Sequence, residues 1–537
     1  MSLTDRGASH LQRTITQTTG WGGRIQGGER IVLPLAVFLL GLAARLHGIG
    51  AMPYWLDEVT TVHRASLPLG AMVQDSLQFH HLPSYFWIAS LFGHYGLGET
   101  VLRLPSALFG GVSAAVVYLI ARSLGGWRAG LVAGLLLALS PLQVQYGQEA
   151  RSYTFVILMM AVGLLGLVQI ARDPRAASLP RQDPDARMLP WVIYAIGTIG
   201  ALQVLSTAFF WLISANCAAI VIARDPRTER HRFIRRWILA QCLALFSILP
   251  WFLAMALLTD GHMGNATDWV PPVTWHSFLS TLGSLYFMRI SRLISFHLFP
   301  VVVPGIGILL LALCAMGILF LRSRDGEKTL LRTMLVVALL PPLLILAISV
   351  AKPLWMPRYV IWSSVPFFVL VGLGVARLAG PRLQLAAVAA IGLLAVVNLA
   401  PYYHVETKPR WDLAAQDLMQ VVEPGDIVLV PDRGPIAIMD FFLGRQGRSI
   451  PDGLWTRDVF AAAAHLQKGG RVWVVSGKVG QADHTPRKSF DSITSPLGAP
   501  VRTIAAGDLI TLKLYDRLPD GNLIAQGGNA QAKTIGF

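Results

Sequence analysis

Residues 31–50 read IVLPLAVFLLGLAARLHGIG, and residues 53–61 continue as PYWLDEVTT. The first run has the roughly 20 apolar residues that cross a membrane as one helix. Two carboxylates, Asp57 and Glu58, follow beside two aromatic rings. Charged groups next to a bilayer are costly unless they are solvated, paired or used. These stretches predict a membrane helix whose emerging end carries either an ordinary solvated acid pair or a functional one.

The composition extends this pattern along the chain. Its 537 residues are 54% hydrophobic and 14% charged, whereas soluble globular proteins are about 25% charged. Eleven segments are apolar and long enough to be candidate spans: 31–50, 106–124, 129–144, 153–170, 189–205, 207–223, 237–258, 298–321, 331–350, 359–378 and 383–401. The sequence therefore predicts a polytopic α-helical membrane protein with about 11 transmembrane helices.

The net charge of +15 is unevenly distributed between the two sides of this predicted topology. The N-terminal tail and every second loop, with the adjoining ends of the spans, carry 22 Lys and Arg residues, whereas the other loops as far as Arg358 carry 7. Cytoplasmic loops of membrane proteins carry such an excess of basic residues. We expect a multi-pass protein of the inner (plasma) membrane with a cytoplasmic N-terminus. The basic residues then serve as topology determinants and membrane-lipid contacts, which argues against nucleic acid as a partner.

The predicted topology divides the chain into three parts. Residues 1–30 form a cytoplasmic tail, residues 31–401 a transmembrane domain, and residues 402–537 a soluble periplasmic domain. The outer loop 51–105 contains two short apolar-faced segments, 67–79 and 83–92. We expect each to form a helix at the membrane surface, because neither is long enough to span.

The C-terminal part has a soluble composition with alternating helical and strand-like segments. We predict helices at 413–422 and 460–467 and strands at 427–430, 471–475 and 509–514. This alternation is typical of a small α/β domain.

Two further polar stretches fall on the predicted outer side. The hairpin between spans three and four contains Tyr146, Glu149, Arg151 and Tyr153, and its arginine either snorkels to the surface or contacts substrate. The loop between spans nine and ten contains two cations and an aromatic ring, namely Lys352, Arg358 and Tyr359. Such cations either bind phosphate or an anionic head group, or snorkel.

Two pairs in the outer loop 51–105 have structural and functional interpretations. Glu99 and Arg103 are four residues apart, so a helix would allow them to form an ion pair that fixes the loop. His80 and His81 are adjacent and precede Leu82-Pro83, so one helix face cannot hold both on a metal ion. We expect hydrogen bonding or substrate contact, with a role for one histidine at a divalent cation as the alternative.

The chain resembles C-type (GT-C) integral-membrane glycosyltransferases. The resemblance lies in the acids at 57–58 and in the segments 98–107, 148–153 and 357–359, which follow in this order on one face of the membrane. The resemblance is to the bacterial family 39-like branch, which includes aminoarabinose transferases of lipid A and protein O-mannosyltransferases, and it covers residues 31–405. It implies an inverting transferase that moves a hexosyl or pentosyl group from a polyprenyl-phosphate donor. The acceptor would be a hydroxyl group of a cell-envelope glycan, such as lipopolysaccharide, or of a lipid or protein.

In that family the first acid of the outer loop is the catalytic base, which implies this role for Asp57, with Glu58 orienting Asp57 or the acceptor. A phosphate leaving group needs cations, which Arg151, Lys352 and Arg358 can supply. The expected substrate contacts are Tyr54, His80, His81, Tyr146, Glu149, Tyr153 and Tyr359. Many relatives have a histidine followed by two prolines where this chain has His80-His81-Leu82-Pro83. The sequence therefore leaves open a divalent metal ion at Asp57, Glu58 and His80.

A transporter or flippase of a lipid-linked glycan is the alternative function. Transporters place ionisable residues near the middle of their spans, often in broken helices, and many contain internal repeats. The central parts of the predicted spans carry few charges and no repeat is evident, which favours the transferase.

Overall fold

The structure is a computed structural model that describes residues 20–183, 185–259, 270–289, 299–430, 433–451, 453–477, 494 and 497–517. Most of the predicted N-terminal tail and the last part of the predicted C-terminal domain, residues 518–537, lie outside this description.

The first four hundred residues are helical. Their helices are α1 (Gly20–Leu46), α2 (Leu56–Ser66), α3 (Leu69–Gln78), α4 (Ser84–Gly93), α5 (Glu99–Gly125), α6 (Trp127–Leu139), α7 (Pro141–Gly147), α8 (Tyr153–Arg172), α9 (Pro174–Ser178), α10 (Leu189–Leu202), α11 (Phe209–Ala223), α12 (Arg230–Leu258), α13 (Trp275–Tyr286), α14 (Phe299–Arg322), α15 (Lys328–Ile348), α16 (Pro357–Val360), α17 (Ser364–Ala376) and α18 (Pro381–Leu399). Short 3-10 turns at Ser206–Ala208, Ile361–Ser363 and Ala400–His404 continue three of these helices.

The polytopic helical class is confirmed, whereas the count of eleven spans is not. Among the described residues, eight helices are long and apolar enough to cross a membrane, and α6 with α7 would make a ninth. The segment predicted at 189–205 forms α10, which has only 14 residues. The first predicted span lies in α1, which has 27 residues and ends at Leu46.

The third predicted span is bent by 58° between α6 and α7. Pro141 begins the second helix, and proline has no N–H to donate to the carbonyl four residues earlier, that of Leu137. The buried guanidinium of Arg45 supplies donors instead. It lies 3.3 Å from the Leu137 oxygen and 3.0 Å from the Ala138 oxygen. The bend turns the chain into the hairpin at 148–152.

Two short helices form in the outer loop, as predicted. They are α3 and α4, and together with α2 they lie at the end of the bundle that also holds the hairpin at 148–152. Tyr85, Phe86 and Ala89 of α4 are buried in the main helical core. The loop is therefore packed on the bundle.

The loops at the opposite end of the bundle are joined by a second set of polar contacts. Asp225 accepts hydrogen bonds from Arg227 at 2.8 Å and from Thr329 at 2.6 Å, and Arg172 lies 3.4 Å from Glu327. The helices therefore run between two ends, each held together by its own polar network.

The C-terminal α/β segment contains a five-stranded sheet of order β2-β1-β3-β5-β4. Its elements are α19 (Trp411–Val421), β1 (Ile427–Leu429), α20 (Arg433–Gly444), β2 (Trp455–Thr456), α21 (Val459–Gln467), β3 (Val472–Gly477), β4 (Arg502–Ala506) and β5 (Ile510–Tyr515). Strands β2, β1 and β3 are parallel, whereas β5 is antiparallel to β3 and β4. The predicted helices and strands are present, whereas α20, β2 and β4 were not predicted.

The two faces of this sheet cover different parts of the molecule. Val472 and Val474 of β3 pack against α21 on one face. On the other face Trp473 and Val475 share a core with α19, α20 and outer-loop residues that include Tyr54. Alternate residues of a strand point to opposite faces, so β3 contributes to both cores. The α/β segment is thus packed directly on the outer loop.

Candidate active site

Asp57 lies in the first turn of α2, where helix N–H groups and the helix dipole favour a negative charge. Its Oδ2 atom is 3.0 Å from Nη1 of Arg358 and 3.9 Å from Nη2 of Arg151. Arg151 also donates to the Asp57 backbone carbonyl at 3.3 Å. The Asp57 side chain remains 27% exposed, whereas both arginines are buried. We call these three residues the Asp57 cluster.

The two arginines come from chain segments far from Asp57 in sequence. Arg358 follows Pro357 in the first turn of α16, and Arg151 closes the hairpin before α8. The Arg358 guanidinium lies 5.9 Å from the ring of Trp55 and 5.5 Å from that of Tyr359. Aromatic faces stabilise a cation at such distances. The rings hold a buried charge in a fixed place beside Asp57.

Three tyrosines predicted as substrate contacts surround this cluster. The rings of Tyr146 and Tyr153 meet edge to face at 4.9 Å. Their hydroxyl groups and that of Tyr359 lie within electrostatic range of Arg358. The cluster therefore combines one partly exposed carboxylate, two cations and several phenol groups.

Glu58 occupies a different environment from Asp57. Its side chain is completely buried, and Arg103 forms a two-pronged ion pair with it through bonds of 2.7 and 2.8 Å. Lys408 donates to Oε2 at 2.8 Å, and the backbone N–H of Ala150 donates to Oε1 at 2.9 Å. We call Glu58, Arg103 and Lys408 the Glu58 cluster. Through these bonds Glu58 joins the outer loop to the hairpin.

The charges of this buried cluster follow from its geometry. Burial alone would raise the pKa of Glu58, but Arg103 and Lys408 lower it to about 2. Burial lowers the pKa of Lys408 to about 8, an effect that Arg103 reinforces and Glu58 opposes. Glu58 is therefore ionised at neutral pH.

Glu149, predicted as a substrate contact, is also completely buried. Burial raises the pKa of Glu149 to about 8, although nearby Lys408 opposes this shift. Its electrostatic neighbours also include Glu58, Asp57 and Arg358. Glu149 thus lies between the two clusters and is largely protonated at neutral pH.

The predicted ion pair between Glu99 and Arg103 is wrong. Both residues lie in α5, but Arg103 turns inward to Glu58. Glu99 instead pairs with Arg445 of the α/β segment at 2.6 Å. Helical spacing allowed the local pair, but the buried carboxylate and the neighbouring segment provide each side chain with a closer partner.

The two adjacent histidines have different roles in the structure. His80 has a positive φ of 59° and forms the left-handed residue that ends α3. The N–H of His81 bonds to Ser76 and that of His80 to Leu77, the usual pairing at such a helix end. This turn places Nδ1 of His81 at 2.8 Å from Nη1 of Arg64.

The contact with Arg64 determines the proton position on His81. A guanidinium can only donate, so Nδ1 accepts and the ring proton resides on Nε2. Burial and the nearby Arg151 and Arg64 lower the pKa of His81 to about 2, so the ring is neutral. His81 therefore lies beside the Asp57 cluster as an uncharged donor.

Two predicted site residues lie away from Asp57. Tyr54 is completely buried, donates to the backbone carbonyl of Leu97 at 3.1 Å and belongs to the core shared with the α/β segment. Lys352 is exposed on the turn after α15, and no ion pair links it to Asp57 in the described ranges.

Glu58 is unsuited to the metal site that the sequence leaves open at Asp57, Glu58 and His80. Both carboxylate oxygens of Glu58 already accept hydrogen bonds from Arg103, and one of them also from Lys408. Throughout the part of the chain that the structure describes, no three His, Cys, Asp or Glu side chains form a group able to hold a metal ion.

Comparisons with known proteins agree with this architecture. A family model described as dolichyl-phosphate-mannose-protein mannosyltransferase matches residues 80–253, which are 174 of the 537 residues. The crystal structure of ArnT from Cupriavidus metallidurans bound to undecaprenyl phosphate is similar, with a TM-score of 0.52 and 14% identity over 90% of this chain and 97% of that one. The chain has the fold of a GT-C glycosyltransferase. The predicted resemblance is confirmed.

The apo structure of the same ArnT gives a TM-score of 0.53 at 15% identity, covering 91% of this chain and 98% of that one. The structure of an oligosaccharyltransferase from Archaeoglobus fulgidus gives a TM-score of 0.49 at 13% identity, covering 83% of this chain and 69% of that one. No curated protein sequence matches the chain. The family match includes Arg151 but neither Asp57 nor Arg358, so the roles of these two rest on geometry.

The sequence did not indicate Arg64 or Lys408 at this end of the bundle, and it indicated the wrong partner for Arg103. Arg64 binds Asp75 at 2.7 Å and His81, Arg103 binds Glu58, and Lys408 joins Glu58 to the hairpin. Arg103 stands in the RLPSA stretch and was noted, but with the wrong partner. Lys408 lies about 350 residues from Glu58, and no local pattern pairs them.

Proposed function

We propose that this GT-C protein is an inverting glycosyltransferase that moves a sugar from a polyprenyl-phosphate donor to a hydroxyl group of a cell-envelope acceptor. The observation that carries the proposal is the Asp57 carboxylate, partly exposed and held by two buried arginines. A base and phosphate-binding cations in one place are what this reaction requires.

The transfer step uses these groups in sequence. The acceptor hydroxyl gives its proton to the Asp57 carboxylate while its oxygen bonds to the anomeric carbon of the donor sugar. The bond from that carbon to the phosphate oxygen breaks on the opposite side, and the electron pair leaves with the phosphate. Arg151 and Arg358 stabilise the charge that develops there. Attack opposite to the leaving group inverts the anomeric centre.

Arg358 can contact both the base and the donor. It lies 3.0 Å from Asp57, and a guanidinium has five N–H donors, so it can also bind a phosphate. One cation therefore places the donor phosphate beside the base.

The reaction site faces the outside of the inner membrane in this proposal. The basic residues of the sequence concentrate in the tail and in the loops at the opposite end of the bundle from Asp57, as expected for cytoplasmic segments. The α/β segment lies at the same end as Asp57, because it packs on the outer loop. It is accordingly extracytoplasmic.

The donor and acceptor classes guide the first assay. An ArnT with this fold was crystallised with undecaprenyl phosphate, so undecaprenyl-phosphate-linked sugars are the first donors to test. The acceptor is a glycan, such as lipopolysaccharide, a lipid or a protein of the envelope. Mass spectrometry of envelope glycans with and without the protein identifies both the sugar and its acceptor.

The decisive variant is Asp57→Asn, which keeps the shape of the side chain but removes the base. We expect transfer by the purified protein to fall by roughly 10²–10⁴-fold, the usual contribution of a general base. Asp440→Asn, at an exposed position of α20, is the matched control and should transfer at the wild-type rate. An unchanged rate in Asp57→Asn would contradict the proposal, and movement of the lipid-linked sugar across vesicles without transfer would support a flippase.

A further inference from the structure

Lys408 comes from the chain segment that follows the last membrane helix. It lies between the 3-10 turn Ala400–His404 and α19, and it is 3% exposed. Its Nζ atom donates to Oε2 of Glu58 at 2.8 Å and to the backbone carbonyl of Gln148 at 2.9 Å. One ammonium group thereby joins the outer loop to the hairpin.

Both partners of Lys408 are next to residues of the proposed reaction. Glu58 adjoins Asp57 in the first turn of α2, and Gln148 is three residues before Arg151. A second bond, from the Ala150 N–H to Glu58, links the same two segments at 2.9 Å. These two links, together with the bond from Arg151 to the Asp57 backbone carbonyl, set the relative position of the base and one cation.

We propose that Lys408 is a positioning residue for glycosyl transfer: it fixes Asp57 relative to Arg151, so the chain between the last span and α19 completes the site. The inference rests on the proposed function. It assigns to the segment after the last span a part in the reaction itself.

Charge neutralisation alone does not explain Lys408. Arg103 already forms a two-pronged ion pair with Glu58, so the carboxylate is neutralised without a second cation. Placing Lys408 beside Arg103 in a buried site adds repulsion between two cations. What Lys408 alone adds is the bond to the Gln148 carbonyl. Its distinct contribution is the link between two segments.

Positioning predicts a particular kinetic signature. Arg151 and Arg358 remain present without Lys408, so the donor phosphate still binds. The attacking oxygen must lie between Asp57 and the anomeric carbon, whose phosphate is held by the arginines. A displacement of about 1 Å in such an arrangement can reduce the rate roughly a hundredfold. Loss of Lys408 should therefore lower kcat much more than it raises KM for the donor.

The experiment uses the full chain in lipid nanodiscs, with the undecaprenyl-phosphate-linked sugar that the wild type transfers. Lys408→Met should lower kcat by roughly a hundredfold, and Lys408→Arg should restore part of it because the charge is kept. Lys468→Met, at an exposed lysine of the α/β segment, should match the wild type. Hydrogen exchange of the Ala150 amide should accelerate in Lys408→Met, since its segment is held less firmly.

The outcomes separate this inference from the proposed function. A wild-type protein that transfers none of the tested sugars overturns both. If the wild type transfers, an unchanged kcat in Lys408→Met, or a rise in KM without a fall in kcat, overturns the positioning role alone. Should Lys408→Met not fold, Lys408→Arg decides: a lower kcat at similar KM supports the role, and a wild-type kcat refutes it.

Discussion

The Asp57 and Glu58 clusters lie side by side at one end of the bundle, and they differ in exposure and in bonding. The Asp57 side chain is 27% exposed and contacts its arginines at 3.0 and 3.9 Å. The Glu58 side chain is fully buried and is bonded to Arg103 and Lys408 at 2.7 to 2.8 Å. A carboxylate that is saturated with buried partners cannot take a proton from a substrate, whereas a partly exposed one can.

Helix geometry accounts for this division between adjacent residues. Neighbours in an α-helix point in directions about 100° apart, so they do not face the same surroundings. In the first turn of α2, Asp57 faces Arg358 and Glu58 faces the α/β segment. Two similar acids thereby acquire different tasks: one is available for chemistry, and the other holds three chain segments together.

The largest effect that this comparison predicts is the loss of stability in Glu58→Gln. The substitution leaves Arg103 and Lys408 buried without a counter-charge, and breaking a buried ion pair in this way typically costs about 3–5 kcal/mol. We expect a much lower thermal unfolding midpoint in detergent and a lower yield of folded protein, measured by tryptophan fluorescence and gel filtration.

The matched control for this prediction is Asp57→Asn, the equivalent change one residue earlier. Its thermal midpoint should fall less, because the Asp57 side chain is partly exposed and its contacts are longer. Equal shifts in the two variants would show that the clusters do not differ in the way the structure indicates.

A smaller effect on stability, but a specific loss of activity, is expected for Arg358→Lys. Lysine keeps the charge but loses the planar fork that binds both a carboxylate and a phosphate. Removing one donor that stabilises developing charge typically costs about 10²–10³-fold in kcat. The measurement is the transfer rate together with the thermal midpoint.

Arg445→Lys makes the same change in an ion pair with Glu99, outside both clusters. It should leave the transfer rate near that of the wild type. If Arg358→Lys were fully active, or were as unstable as Glu58→Gln, Arg358 would belong with the structural residues instead.

The sequence supports the helical membrane class and the common location of Asp57, Arg151 and Arg358. Apolar runs and charge asymmetry are local signals, so they appear in composition and spacing. The described residues do not confirm all eleven spans, because length along the sequence does not reveal where a helix ends or bends. α1 stops at Leu46, and Pro141 bends the third segment.

The Glu58 cluster could not be predicted in the same way. Its members come from α2, α5 and the segment before α19, and tertiary packing alone brings them together. Glu99 and Arg103 have the spacing of a helical pair, yet each has a partner from elsewhere in the chain. Helical spacing shows which side chains can meet, whereas burial determines which of them do.

The mildest prediction concerns Glu149, which lies between the clusters and has a pKa raised by burial to about 8. Because folding raises the pKa of Glu149 from 4.5 to about 8, protonated Glu149 favours the folded state. This contribution to stability is fully present below pH 4.5 and is lost as the pH rises through about 8. The glutamine in Glu149→Gln cannot ionise, so the variant does not lose stability in this way as the pH rises. The difference in thermal midpoint, variant minus wild type, should therefore be smallest near pH 5 and increase toward pH 8.

Lys408 is present in both the wild type and Glu149→Gln, so its own titration largely cancels in the difference between their midpoints. Its charge offsets part of the cost of burying ionised Glu149, which keeps the effect modest. The charged neighbours Glu58, Asp57 and Arg358 are likewise unchanged. A midpoint difference that stays constant between pH 5 and pH 8 would show that Glu149 does not ionise there. In that case the boundary between the two clusters would carry no titrating group, and the two carboxylates would act independently.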